Sequence, residues 1–193
     1  LARLFAAAGG LAGAVAATAE RLGLAPGEDG AAIIEVACSD RAFDLPGLVR
    51  AAQALAQGAK TDQARAANMA DWLAGPDLRA EMFDQYAATC LTKEGAVRSR
   101  LATQGALQAL PGLEDILSAE AARLRTVRER LAAASVFEAT SALLAIGQAL
   151  LAAYDALKRR RARLDYDDLI LLAQDLLARS DQAAWVLYKL DGG

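Results

Sequence analysis

The 193-residue chain suits one domain or one large insertion, and 49 alanines and 31 leucines supply 80 of its residues, against 19 for valine, isoleucine and threonine together. That bias toward helix formers predicts an all-α fold, and 55% hydrophobic residues argue against disorder. With no histidine there is no His-dependent zinc site, no Ser-His or Cys-His nucleophile and no imidazole acid–base chemistry, and the net charge of −3 is not that of a free-standing nucleic-acid binder.

The elements follow in chain order. A first helix is expected over residues 2–22, stopped near Gly23, with Pro26 and Gly27 in the turn. The opening Arg3 and apolar run have a signal-peptide look, but Leu1, Leu4, Phe5, Leu11, Val15 and Leu22 fall on one helical stripe, so a soluble helix is expected. A short helix covers residues 31–38. Asp44 caps the next, with Pro46 in its first turn and Gly58 at its end. Thr61 or Asp62 starts a helix through Trp72 and Leu73, stopped by Gly75, and Pro76 opens another that ends near Thr89. Residues 91–100, LTKEGAVRSR, have no period and read as a loop.

After Pro111 a helical pattern runs from Leu113 to about Arg160, roughly 70 Å at ~1.5 Å per residue. Leu113, Ile116, Leu117, Leu124, Val127 and Leu131 share one stripe; Phe137, Leu143, Leu144, Leu150, Leu151, Tyr154 and Leu157 share another. The shift between residues 131 and 137 predicts a bend or a change of partner. Asp165 is the expected cap of a following helix, with Asp167 and Asp168 in its first turn. Ser180 or Asp181 caps a last short helix carrying Trp185, Leu187 and Tyr188. The expected architecture is therefore an elongated all-α subdomain built on one long helix. The longest uncharged runs, residues 4–19 and 139–154, are sixteen residues each, short of the ~20 a membrane span needs, so no membrane is expected.

Chemistry-bearing residues are few. There is no phosphate-binding G-x-x-x-x-G-K-[ST] and no G-x-G-x-x-G, and no catalytic or metal residue is assigned. Asp165, Asp167 and Asp168 admit a magnesium site, but capping and dipole matching are the favoured reading. Cys38 and Cys90, far apart and at no metal-ligand spacing, read as small buried hydrophobes in a reducing, cytoplasmic setting. Trp72, Trp185, Tyr154 and Phe137 read as core. Residues 118–163 carry nine basic and four acidic side chains, a local net of +5. The loop at 91–100 gathers Lys93, Arg98 and Arg100 around Gly95, beside Thr92, Ser99 and Thr103. Cations, hydroxyls and free backbone N–H groups make phosphate contacts, and a solvated loop is the alternative. Lys60, at a helix start, is a weaker case. The run Lys158 to Arg163 ends a helix, where the macrodipole already explains cations, and the aspartates after it are expected to neutralise it in part.

Two stretches resemble a known family. LDYDDLILLAQDLL resembles the aromatic-Asp-Asp-Leu segment that precedes Walker B in UvrD/Rep-type superfamily 1 DNA helicases. GAKTDQARAANMADWL and CLTKEGAVRSRLAT resemble AddA, the helicase–nuclease subunit of a double-strand-break repair enzyme. The resemblance implies that residues 1–163 are a helical insertion of the first motor domain and that residues 164–193 lead back to the motor core, ending before the Walker B strand. The chain begins with Leu1 and reads as a piece of a longer protein. The resemblance further implies a parent that is an ATP-dependent 3'-5' DNA helicase and exonuclease, using ATP and Mg, in which this piece is inactive and holds no cofactor. Its implied partners are double-stranded or forked DNA and the second subunit of the complex. Lys93, Arg98, Arg100 and Lys60 are the implied DNA contacts. A helical protein–protein docking or spacer module is the alternative.

Overall fold

The computed structural model describes residues 2–178 together with Val186, Tyr188 and Lys189. Among these the protein is all-α: α1 (Ala2–Ala8), α2 (Leu11–Arg21), α3 (Gly30–Cys38), α4 (Leu45–Leu55), α5 (Lys60–Ala74), a 3-10 turn (Pro76–Leu78), α6 (Phe83–Ala87), α7 (Gln104–Ala109), α8 (Leu113–Arg160) and α9 (Tyr166–Ala178). The only strand-like pairing among them is a single antiparallel bridge between Leu91 and Val97. The last short helix expected after Ser180 or Asp181, and the core role of Trp185, lie outside the described residues.

Two expectations about the helices need correction. The first helix is broken in two, because Gly9 and Gly10 take φ of 74° and 97° and the Gly10 N–H reaches back to the Phe5 carbonyl at 2.7 Å. The helix expected from Pro76 to Thr89 is instead a 3-10 turn and the short α6. Here a long-range demand wins. The last carbonyls of α5 lack intrahelical donors, and Arg79 supplies them, giving Nε to the Trp72 carbonyl at 3.3 Å and Nη2 to that of Leu73 at 3.2 Å. Its Nη1 donates to the carbonyl of Cys38, the last residue of α3, at 3.0 Å, and to Asp40 at 2.6 Å. A regular helix through residue 79 would carry the guanidinium away from both helix ends.

The main core sits between α4, α5, α6, α7 and the first third of α8. Trp72 stacks on Tyr86 with ring centroids 3.9 Å apart and planes within 3°, and Leu48, Leu55, Met69, Phe83, Leu113, Leu117 and Leu124 close around them. Cys90 belongs to this core and Cys38 to its edge; both are free thiols, and burial pushes both above the ordinary thiol range. A smaller cluster of Leu24, Ile33 and Ala134, with Leu131 and Phe137 against it, packs α2 and α3 onto α8.

The 48-residue α8 runs unbroken from Leu113 to Arg160. The stripe shift near residue 131 marks the change of partner. Buried residues of α8 end at Ala134, and beyond it Leu143, Ile146 and Leu150 are two-thirds exposed. Tyr154 is therefore not core, as expected from its stripe, but 47% exposed, because no residue of α8 beyond Ala134 is buried. By length and composition α8 is the one described helix that could cross a membrane, although Thr140, Ser141 and Gln148 interrupt its uncharged stretch.

Candidate nucleic-acid interface

Residues 91–100 form the expected loop, and the structure shows how it is held. Thr92 N–H bonds the Ala96 carbonyl at 2.8 Å, Gly95 N–H bonds the Thr92 carbonyl at 3.1 Å, and Gly95 turns the chain at φ 82°. The turn is tied to the residues that follow α6 by the Arg98 N–H on the Cys90 carbonyl at 2.9 Å. Lys93 stands exposed at the tip. Arg98 is half-buried and gives its Nε to the Ala88 carbonyl at 3.1 Å, so part of its guanidinium serves the loop itself. Arg100 is exposed, while its carbonyl accepts from Arg65.

Two residues that sequence reasoning does not assign to the site secure its far end. Asp62 is expected as a helix cap, yet α5 starts at Lys60 with no side-chain cap. Asp62 is instead fully buried and accepts from both the backbone N–H (3.1 Å) and the hydroxyl of Thr103. Arg65 donates to the Arg100 and Leu101 carbonyls at 3.2 and 2.8 Å. Their sequence signal, an i,i+3 acid–base pair on a helix, looks like any solvated pair. These bonds join the start of α5 to the end of the loop, so exposed Lys60 lies on the helix whose Asp62 and Arg65 hold that end. Arg98, Ser99, Arg100 and Gln104 line a cleft of about 460 Å3 against Glu114, Leu117 and Ser118 of α8. Among the described residues Lys60, Lys93 and Arg100 form no ion pair, so their charge is open to a polyanion.

The basic stretch of α8 is different. Arg123 pairs with Glu120, Arg125 with Glu129, Arg128 with Asp84 and Arg130 with Glu28. The four arginines between residues 123 and 130 are thus each answered within the fold. At the helix end the aspartates neutralise the run in part, as expected, and they do so at Lys158 alone. Lys158 takes Asp155, Asp165 and Asp168 at 3.4, 3.1 and 2.7 Å, and Arg159, Arg160, Arg161 and Arg163 stay exposed without an ion pair among the described residues.

Asp165 caps α9. Its Oδ1 accepts the Asp168 N–H at 2.9 Å while Asp168 accepts the Asp165 N–H at 3.0 Å, a reciprocal box with aspartate in the usual glutamate position. Asp167 is exposed. The ammonium of Lys158 sits where a magnesium ion would have to sit, and no group of three metal-ligating side chains occurs among the described residues. The bond from the Asp168 backbone, then Lys158, draws the Asp165 carboxyl from the ordinary 3.8 down to about 2. A carboxyl depressed in the folded state stabilises above its ordinary value and loses that effect as pH falls toward its folded value. Amide protection in the first turn of α9 should therefore hold at neutral pH and drop between about pH 4 and 2. Asp165→Ala should abolish that protection at every pH, and Asp167→Ala should leave it unchanged. Hydrogen exchange followed by NMR reads both, and a pH-independent first turn would contradict the capping role.

No protein-family model, curated protein or solved structure matches this chain.

Proposed function

We propose that this chain is the helical, non-catalytic insertion of the first motor domain of an AddA-type ATP-dependent DNA helicase–nuclease, and that it contacts duplex or forked DNA through Lys93, Arg98, Arg100 and Lys60. The observation that carries the reading is the presentation of this loop. It holds three cations and one acid, Glu94, on a turn fixed at both ends by buried or backbone partners, with Lys93 and Arg100 exposed. A rigid cationic turn meets phosphates with little ordering cost. ATP and Mg would act in the parent's motor core, outside these residues. The second subunit of the complex is the proposed protein partner, the location is cytoplasmic and no membrane is involved.

The cleanest test spares Arg98, whose Nε holds the loop. Changing Lys93 and Arg100 together to Gln should weaken duplex binding and reduce the log–log salt slope by about 1.8, at roughly 0.9 for each phosphate that is no longer neutralised. An unchanged affinity and slope would remove the loop from the interface. The purified chain should hydrolyse no ATP and cut no DNA; DNA-stimulated ATPase that follows it through successive columns would contradict the reading.

A second reading has its own observation. Beyond Ala134, α8 exposes Leu143, Ile146, Leu150 and Leu157, and α9 exposes Leu169, Ile170, Leu172 and Leu176. Such a surface suits a protein–protein docking or spacer module. Binding that responds weakly to salt would favour it over phosphate contact.

A further inference from the structure

We infer that Lys158 is the pin of a salt-releasable elbow between α8 and α9, and that this elbow, not hydrophobic packing, sets the direction of α9. No side chain of α9 is buried, and Leu169, Ile170, Leu172, Leu176 and Leu177 are all exposed. Apolar contact therefore does not fix the helix. The backbone between the two helices is also unusual. Ala162 takes φ 47°, the only non-glycine residue in the left-handed region among those described. It is the turning residue of the motif that ends α8, in which the Arg163 N–H bonds the Lys158 carbonyl at 3.0 Å and the Ala162 N–H that of Arg159 at 3.2 Å, so the backbone turns the chain but leaves the angle of α9 to its side-chain partners.

The holding group is the Lys158 ammonium. Asp168 offers both oxygens at 2.7 Å, Asp165 one at 3.1 Å, and Asp155, one turn back on α8, one at 3.4 Å. The ring of Tyr154 lies 4.9 Å from the same nitrogen, and the Tyr154 hydroxyl donates to Asp165 at 3.1 Å. Asp165 and Asp168 are also the two halves of the box that starts α9. One cation from α8 thus binds the capping unit of α9, and the start of that helix and its angle to α8 become one structure. A compact ammonium with three donors suits three converging carboxylates; a planar guanidinium does not. Three carboxylates on one ammonium leave a negative excess, and Arg159 and Arg163 line the same cleft to offset it.

The clasp is only partly shielded from water, with the Lys158 side chain 15% exposed. The screening length falls from ~8 Å at physiological salt to ~3 Å at 1 M, the scale of these contacts. High salt should loosen a joint in which α9 buries no apolar side chain.

The test is a distance distribution between spin labels at Gln148→Cys and Gln174→Cys, in a full chain with Cys38→Ser and Cys90→Ser. The labelled parent should give one narrow distribution at 0.1 M NaCl, broadening at 1 M. Lys158→Met should broaden it at both salt concentrations, with circular dichroism near the parent level because the core lies elsewhere. Lys158→Arg should be intermediate. A narrow distribution unchanged by Lys158→Met, or one already broad in the parent at low salt, would overturn the inference. If Lys158→Met unfolds α9, the labelled parent decides alone: a distribution that stays narrow at 1 M NaCl would also overturn it.

Discussion

Trp72→Ala should lower the unfolding free energy by about 3–5 kcal/mol, the range for deleting a buried indole. The side chain is fully buried, stacked on Tyr86 and tilted against Phe43 at 4.9 Å. Its Nε1 donates to the Arg79 carbonyl at 3.0 Å, and the Arg79 guanidinium lies 5.2 Å from its ring. Alanine would therefore open a cavity, orphan a buried carbonyl and strip an aromatic neighbour from a cation that is itself only 3% exposed. Trp72→Phe keeps most of the ring and should cost distinctly less. Urea unfolding gives both numbers. An alanine variant that loses under about 2 kcal/mol would mean that the site collapses around the missing ring.

Glu120→Ala should cost about 3 kcal/mol or more, through a different mechanism. Glu120 is 5% exposed and accepts from the Tyr86 hydroxyl at 2.6 Å and from Arg123 Nη2 and Nε at 2.6 and 2.7 Å. Arg123 in turn gives Nη1 to the Ala37 carbonyl at 2.9 Å and lies 5.3 Å from the Phe43 ring. Burial, followed by the neighbouring Glu120 carboxylate, keeps the Tyr86 phenol protonated far above its ordinary range, so it acts as a donor. Removing the acid strands a partly buried cation and a buried hydroxyl. The pair itself is a weak net stabiliser, because both charges left water to form it. The triple variant Tyr86→Phe, Glu120→Leu, Arg123→Met should therefore recover most of the loss. If the triple and the single variant fell equally, packing around Glu120 would be the cause and not its charge.

The loop at residues 91–100 shows where local reading works. Residues 91–100 lack a helical period and hold a glycine that needs a positive φ, and both facts act within a few residues. The same range explains the caps. Asp44 accepts from the Gly47 N–H and Asp165 from the Asp168 N–H, three residues on in each case. What holds the loop was not legible, because Asp62 reaches Thr103 and Arg65 reaches Leu101 across some forty residues. Nor was the true state of the basic residues. Arg128 and Arg130 find their acids on α6 and just before α3, and the aspartates after residue 164 choose Lys158 over the arginines beside it.

The amino-acid order alone determined that this is an α-helical protein and that one helix runs from Leu113 to Arg160. Alanine and leucine content, together with glycine and proline punctuation, act through backbone energetics that need no distant partner. Tertiary structure alone decided which of the two apolar stripes of that helix is buried. Both satisfy the same period, but only the stripe ending near Ala134 has α2 to α7 to pack against. It also decided that the chain after Pro76 leaves the helical path. An unsatisfied carbonyl at the end of α5 and another at the end of α3 must share one guanidinium, and a demand set by two helix ends in space is not written in the periodicity of either.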